Sequence, residues 1–561
     1  MSAWLKHPIW LFFAIAAIYF LAIPVDIMEV DSAQYFSSAR EMLDRGDYLQ
    51  VYDRGAEYLD KPPFIFWITS LFFAVFGVNE FAFKLPSILF SLLGIYATYR
   101  FTLVYYSKNT ALFAAVIIAT TQGYFHFNND VRTDTYLTNS VITAVWLLAE
   151  HLRSPRWYWW IPAFVFIGVA MLAKGPIGLM VPILAFGTHL FLKKQWNLVF
   201  RWEWLAGIII ILLVLLPMTI GLYQQFDLHP EKLVNDRHGV SGLRFFFWEQ
   251  SFGRITGENV WKNDTGPFYF VHNLAWSFLP WTLVFFVGFG QLLLDFFKAP
   301  LISIRNRPEW ISVGGFLLPF IALSASSYKL PHYIYVTFPF AAVVSAVFLS
   351  RISLPESRFN IRWLNITQSI ILFLCWAFGA IIFTWFFPVT NPLLIIAALI
   401  GTGFLCFYTF RRFDGRLDKI IGMSISSSLA FNILMAGQFY PFVLKYQASA
   451  QLGKQVVEMK LPLNKVYHFV ASGRAFDVYT RSIPAMINTN DIDSLLFVNN
   501  GTIYLHTNKE GIDLLDVSQR NYNIILSAKH YPVTRLTINF ANPSTREAVL
   551  EDRFIVEVKK K

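Results

Sequence analysis

A chain of 561 residues that is 55% hydrophobic and only 15% charged has lipid as its main solvent, because ordinary soluble domains carry about a quarter charged residues. The aromatic share of 18% suits helices that fill hydrocarbon and anchor rings at the headgroup level. The formal charge of +10 is scattered between apolar segments rather than gathered in one stripe, which argues against nucleic-acid binding and for the charge asymmetry of membrane topology.

From the amino terminus, Lys6 and a long apolar run from Pro8 to Pro24, with no small-residue cleavage site, predict a retained first span rather than a cleaved signal peptide. About 20 apolar residues cross a bilayer. On that scale thirteen segments are expected to span, near 9–27, 83–104, 110–127, 135–151, 158–173, 175–192, 204–223, 268–295, 309–325, 332–350, 364–386, 391–410 and 419–441. Lys108, Arg153, Lys193, Arg201, Lys298 and Arg351 then share one side with the other basic loop residues, and that side is cytoplasmic. The amino terminus is therefore expected in the cytoplasm and the carboxyl-terminal tail outside. Loops 28–82, 128–134, 224–267 and 326–331 face outward. In the first of them AQYFSSAREML and FIFWITSLFFAVFG read as helices lying along the membrane surface, as does LRFFFWEQSFGRITG in the loop 224–267. Cys375 and Cys406 lie in apolar segments without CxxC spacing and read as packing residues. From residue 446 the composition turns polar, and KVYHFV, TIYLHT, YNIILS and RFIVEV alternate like strands. The expected architecture is an α-helical polytopic membrane domain over 1–445 and a soluble extracytoplasmic α/β domain over 446–561.

Charged groups at the outer membrane face are costly to bury, so those in the outward loops are the candidates for chemistry. Asp31 follows the first span; its carboxylate is placed either to take a proton from an attacking hydroxyl or to cap the helix that starts at Ser32. Lys61, in YLDKPPFIFW, precedes two prolines that fix the local backbone, and is either a phosphate ligand or a snorkelling interface lysine. The string NNDVRTDTYL brings Asp130, Arg132 and Asp134 to an outer helix end, where an internally paired Arg and Asp cap is the plainer alternative. Lys174 in LAKGPIG, and Lys329, His332 and Tyr333 in SSYKLPHYIYV, lie at two further outward turns. Lysines converging on outward carboxylates fit a reaction of a phosphate-linked lipid donor with an acceptor presented outside. No Walker-type loop and no HExxH motif is present, which argues against ATP hydrolysis and zinc proteolysis.

In their order, DSAQYFSSAREM, LDKPPFIFW, RTDTYL, LAKGP, FGRITGEN to PFYF, PWT at Pro280 and SYKLPHYI resemble the GT-C-fold glycosyltransferases of the protein O-mannosyltransferase superfamily, especially the bacterial aminoarabinose transferases that modify lipid A. The resemblance spans roughly residues 1–445. It implies an inverting glycosyltransferase of the bacterial inner membrane that moves a sugar from a polyprenyl-phosphate donor to lipid A, another envelope glycolipid or protein. A flippase or transporter of lipid-linked sugars is the alternative from another class, although paired repeats and interrupted helices are not evident. The resemblance further implies Asp31 as catalytic base, with Asp134 as the second-loop acidic residue and Asp130 its competitor. Lys61, Lys174, Tyr58 and Tyr333 would contact the carrier phosphate, and Arg254 and Lys329 are further candidates. It implies no cofactor for the chemistry, and a structural divalent metal at Asp60 and Asp264, where relatives use an acidic residue and a His. The family often has Glu where this chain has Ser32, and the aminoarabinose enzymes have Arg where it has Gln34.

Overall fold

The computed structural model describes residues 8–250, 263, 265–357, 359–389 and 415–560, with isolated positions 253, 393, 396, 400, 401 and 403. Helix α1 (Pro8–Leu21) ends in a turn whose carbonyls at Ala22, Ile23 and Val25 all accept from the buried ammonium of Lys84. A lysine is tolerated there because the last carbonyls of a helix lack intrahelical donors and carry the negative end of its dipole. Helix α2 (Asp31–Arg45) turns Tyr35, Phe36 and Met42 inward. It stops at Gly46, whose φ of 68° lets its N–H reach the carbonyls of Met42 and Leu43. A two-stranded hairpin, β1 (Tyr52–Asp53) and β2 (Ala56–Glu57), follows.

Helix α3 (Phe64–Phe76) has 13 residues, or about 20 Å of length, too short to cross a bilayer upright and suited to the expected surface position. Helix α4 (Glu80–Tyr105) is capped by Asn79 and α5 (Lys108–Ala119) by Ser107. Helix α6 (Gln122–Asn129) continues α5 after a bend of 56°. Helix α7 (Thr133–Arg153) is buried along almost its whole length between its neighbours, the mark of a helix at the centre of a bundle. Small polar residues serve as glue there. Asn139 on α7 accepts from the hydroxyl of Tyr124, and a Cβ at Gly94 on α4 would stand 1.8 Å from the Asn139 side chain, so only glycine admits this approach. Helices α8 (Trp157–Lys174) and α9 (Ile177–Lys193) complete the first part of the bundle. The helix Glu203–Leu222 leaves Leu205, Ile209, Leu212 and Leu213 exposed, an apolar face that only lipid suits.

Helices occupy the places of the expected spans except 391–410, most of which lies outside the described residues. Among the described residues, six are long and apolar enough to cross a membrane, or seven with the bent pair as one span. The chain is a multi-pass membrane protein, and the expected thirteen counts apolar segments, several of which fold as shorter helices such as Ile177–Lys193 and Ile311–Ser324. In the loop 224–267, the expected helix LRFFFWEQSFGRITG begins as Gly242–Arg244 and runs on through one wide turn, Phe245–Glu249, while most of its remainder lies outside the described residues. The basic loops meet at one end of the bundle: Lys193 donates to the Pro308 carbonyl, Tyr106 to Glu309, and Arg201 pairs with Glu203 beside His151. Cys375 is half-buried and free, while Cys406 lies outside the described residues.

At the opposite end sits the carboxyl-terminal α/β unit. Its strands β3 (Val466–Phe469), β4 (Met486–Ile487), β5 (Thr502–Asn508), β6 (Asn521–His530) and β7 (Glu551–Lys559) form one sheet in the order β4-β3-β5-β7-β6. The β3 pairings are parallel and those of β7 antiparallel. All four strand-like segments of the sequence lie in this sheet, and β4 is an addition. Alternation along the pleat sends Ile503, Leu505, Val556 and Val558 to one core and Val466 and Ile555, with Leu452 and Phe476 of the covering helices, to another. This unit docks on the chain around α1 and α2 through Asp26 with Lys454 at 2.6 Å, and through Ile27, whose N–H donates to Tyr479 at 3.0 Å.

Within the sheet His468 and His506 meet at 3.0 Å. Burial, and then the neighbouring His468 and Arg553, press His506 well below the ordinary imidazole range, while burial brings His530 down to about 4. The unfolded chain therefore binds more protons than the folded one below about pH 6.5, and stability must fall with pH. The carboxyl-terminal unit is expected to be most stable above about pH 6.5 and to weaken progressively toward about pH 4. Thermal unfolding across that range checks this; a flat or rising stability toward acid contradicts it.

Candidate active site

Five elements bring their ends to one cavity on the side of the carboxyl-terminal unit. They are the start of α2, the turn before α3, the junction of α6 and α7, the end of α8 and the 3-10 turn Pro331–Thr337. Its rim carries three carboxylates, Asp31, Asp60 and Asp134, and three cations, Lys61, Arg132 and Lys174, with His332 and Tyr333. Its deeper wall is apolar, with Leu137, Ile177, Met180, Val181, Leu184 and Leu323.

Asp31 is the first residue of α2 and makes no capping bond; Val30 stands in the cap position. The carboxylate instead meets Arg132, whose Nη1 donates to Asp31 Oδ2 at 2.5 Å. Arg132 Nε donates to Asp130 Oδ2 at 2.5 Å, and Ser32 Oγ donates to Asp130 Oδ1 at 2.7 Å. Burial drives the Asp130 carboxyl up, but Arg132, His126 and Ser32 outweigh it and hold it below the usual carboxylate range. Burial likewise opposes the charge on Arg132, and Asp130 and Asp31 more than restore it. The internal pair expected within NNDVRTDTYL thus exists as Arg132 with Asp130, but it extends to Asp31 and leaves Asp134 out.

Asp134, in the first turn of α7 where the helix dipole favours a negative charge, accepts from Lys174 Nζ at 2.5 Å. His332 Nε2 stands 3.6 Å from its other oxygen. Lys174 ends α8, where Gly175 turns the chain at a φ of 84°, and its ammonium lies 4.0 Å from the centroid of the Tyr333 ring. Lys61 lines the cavity beside Asp60, whose carbonyl accepts from Gln250 and whose carboxylate accepts from Asn235 at 3.3 Å.

The expected residues Asp31, Lys61, Asp134, Lys174, Tyr333 and Asp60 are thus brought together. Others are not. Tyr58 lies behind Lys61 in an adjoining small cavity, its ring edge-on to Phe66. Asp130 is buried behind Arg132 and does not line the cavity. Lys329 does not line the cavity; its ammonium donates to the Thr265 carbonyl at 3.0 Å. Arg254 and Asp264 lie outside the described residues. Among the described residues no three His, Cys, Asp or Glu side chains converge as a metal site. Arg132, His332 and Gln250 also belong to the lining; the sequence offered Arg132 only as a partner for Asp and His332 only as a residue of an outward turn, and Gln250 carried no signal.

The family model described as dolichyl-phosphate-mannose-protein mannosyltransferase matches residues 60–220, which include Lys61, Arg132, Asp134 and Lys174. The crystal structure of ArnT from Cupriavidus metallidurans bound to undecaprenyl phosphate superposes with a TM-score of 0.75 at 18% identity, covering 99% of this chain and 98% of that one. The fold is the GT-C fold. An undecaprenyl phosphate-alpha-4-amino-4-deoxy-L-arabinose arabinosyl transferase of Pseudomonas fluorescens is 24% identical over 335 residues, 58% of this chain and 53% of the relative. A protein of Aquifex aeolicus is 23% identical over 428 residues, 75% of this chain and 76% of its own. The chain thus spans about half the length of the aminoarabinose transferases it matches. The cavity lies where the loops 28–82, 128–134 and 326–331 meet the bundle.

Breaking a buried ion pair from one side strands a charge, whereas replacing both partners does not. With Asp134 3% exposed, Lys174→Met is expected to cost about 3–5 kcal/mol of stability, and the double variant with Asp134→Leu to regain much of it. Thermal unfolding of the purified single and double variants measures the difference.

Proposed function

We propose that this chain is an inverting glycosyltransferase that moves a sugar from a polyprenyl-phosphate donor to an acceptor in the membrane or periplasm: lipid A, another envelope glycolipid, or protein. The observation that carries this is the cavity itself, an apolar wall with a rim of paired carboxylates and cations. An isoprenoid chain suits the wall, and a phosphate suits Lys61 and Lys174 as point charges. The family match, and relatives named for undecaprenyl phosphate, support the same reading. The comparisons lend no support to a flippase.

Asp31 takes the proton of the acceptor hydroxyl, and the acceptor oxygen attacks the anomeric carbon from the face opposite the phosphate. As the new C–O bond forms, the bond to the phosphate oxygen breaks, and polyprenyl phosphate leaves with the bonding pair. Lys61 and Lys174 neutralise the charge that grows on it. Lys174 is already held at the cavity by Asp134 and Tyr333, so its ammonium needs little rearrangement to meet an anion. The enzyme sits in the bacterial inner membrane with the basic loops and amino terminus in the cytoplasm, and the cavity and carboxyl-terminal domain in the periplasm. The grouping of basic loops at the end of the bundle away from the cavity supports this orientation. The transfer requires no cofactor. A structural divalent ion held by Asp60 and Asp264, both hard oxygen donors, is a separate proposal, tested by metal analysis of the purified protein before and after EDTA treatment.

Purified Asp31→Asn and Lys61→Ala variants are expected to stay folded and to lose transfer of a labelled sugar from undecaprenyl phosphate by about 100-fold or more. Donors carrying aminoarabinose, mannose and other sugars are offered in parallel. Full activity in both variants, or movement of intact lipid-linked sugar without cleavage of the sugar-phosphate bond, refutes the proposal.

A further inference from the structure

Asp31 lies between two anchor points, and both lead to the carboxyl-terminal domain. Two residues before it, the Glu29 N–H donates to Gln447 Oε1 at 2.8 Å, and the Glu29 carboxylate accepts from the Ala475 N–H at 2.7 Å. Gln447 also donates to the Ile27 carbonyl at 2.8 Å. One helical turn after Asp31, Gln34 Nε2 donates to Asp53 Oδ2 at 2.8 Å, and the other oxygen of Asp53 accepts from Arg474 Nη1 at 2.5 Å. Beside it in the hairpin turn, Arg54 Nε donates to Asp477 Oδ2 at 2.7 Å. Arg474, Ala475 and Asp477 belong to one helix, Arg474–Thr480.

These contacts are built rather than incidental. Asp477 is 1% exposed and Asp53 10%, so both pairs are shielded from water. A Cβ on Gly473 would stand 1.8 Å from Ser449 Oγ within the carboxyl-terminal unit and 3.1 Å from the Glu29 carboxylate, so glycine there packs the unit tightly and leaves Glu29 room to approach. The positive φ of Arg54, 56°, turns the hairpin tip toward the same helix.

We propose that the helix Arg474–Thr480, with Gln447, is a clamp that fixes the start of α2 and so the place of Asp31, making Arg474 and Gln447 positioning residues for the transfer. This rests on the assignment of Asp31 as the base. Arg132 orients the carboxylate, but the backbone that carries it leaves the first span as a turn, and the clamp holds that turn from both sides. A base displaced by about 1 Å loses on the order of 100-fold in rate. The phosphate grip is set elsewhere: Lys174 by Asp134, and Lys61 by the two prolines after it and the Gln250 bond to the Asp60 carbonyl. Loosening the clamp therefore lowers kcat and spares donor affinity.

The experiment uses the full-length protein in nanodiscs, with kcat measured for whichever sugar donor the unmodified protein turns over and affinity measured with undecaprenyl phosphate alone. Arg474→Ala and Gln447→Ala are expected to lower kcat at least about tenfold while Kd for undecaprenyl phosphate stays within about twofold. Arg474→Lys restores most of the loss, and Lys61→Ala, unlike the clamp variants, raises Kd. Arg520→Ala, which breaks the ion pair with Asp493 elsewhere in the same domain, leaves kcat unchanged. If Arg474→Ala does not fold, Gln34→Ala breaks the same chain from the α2 side and carries the same expectation. Unchanged kcat in the clamp variants, a loss that tracks a rise in Kd, or no rescue by lysine overturns the clamp. An unmodified protein that transfers no sugar overturns the transferase assignment instead.

Discussion

One guanidinium between two carboxylates ties the loops 28–82 and 128–134 together. Arg132 reaches Asp31 at the start of α2 and Asp130 at the end of α6, both at 2.5 Å. Removing water from a charge costs several kcal/mol unless a partner replaces it. The two carboxylates and the guanidinium therefore hold each other, and the segments that carry them, in register. Ser32 adds a second tie from α2 to Asp130 and to the Val131 carbonyl.

With Arg132 committed to Asp31 and Asp130, Asp134 turns to Lys174. Two of the rim's carboxylates thereby pair with two of its cations, while the cavity wall stays apolar. Such a cavity receives an amphiphile with an anionic head and an apolar tail in one orientation only, since the reverse would bury the anion against leucines and leave the rim unmatched. The carboxyl-terminal unit contributes no lining residue to this cavity. Its role is felt through the first outer loop, which it grips by side chains on either side of Asp31.

Much of this was legible in the sequence, for reasons that differ by element. Apolar runs announced the helices, and period-two alternation announced four of the five strands in the carboxyl-terminal sheet, because burial leaves a local periodic trace. The number of crossings was less legible. A run of apolar residues does not say where a turn or a proline divides it, and α9 and Ile311–Ser324 fold as short helices. Asp31 looked like a helix cap because the signal for a cap is local, while its real partner stands 101 residues away and leaves no trace nearby. The placing of Tyr58 and Lys329 was hidden for the same reason: Phe66 packs against one ring and the Thr265 carbonyl takes the other ammonium, both through contacts that leave no local trace.

The short string RTD then carries more of the geometry than its length suggests. Arg132 and Asp134 are two residues apart at the entrance to α7, and that helix is buried on every side. Arg132 sets Asp31, and Asp134 sets Lys174. The distance between the carboxylate and that lysine is therefore fixed by one rigid helix start rather than by two independent loops, and a shift of α7 moves both together. What α7 does not control is the backbone on which Asp31 is mounted. That backbone emerges from α1 as a turn, where Lys84 ties its carbonyls from the membrane side and Gln447 and Ala475 hold it from the other. The membrane bundle thus sets the direction of the Asp31 carboxylate, and the carboxyl-terminal unit sets its origin, so neither part alone defines where it stands.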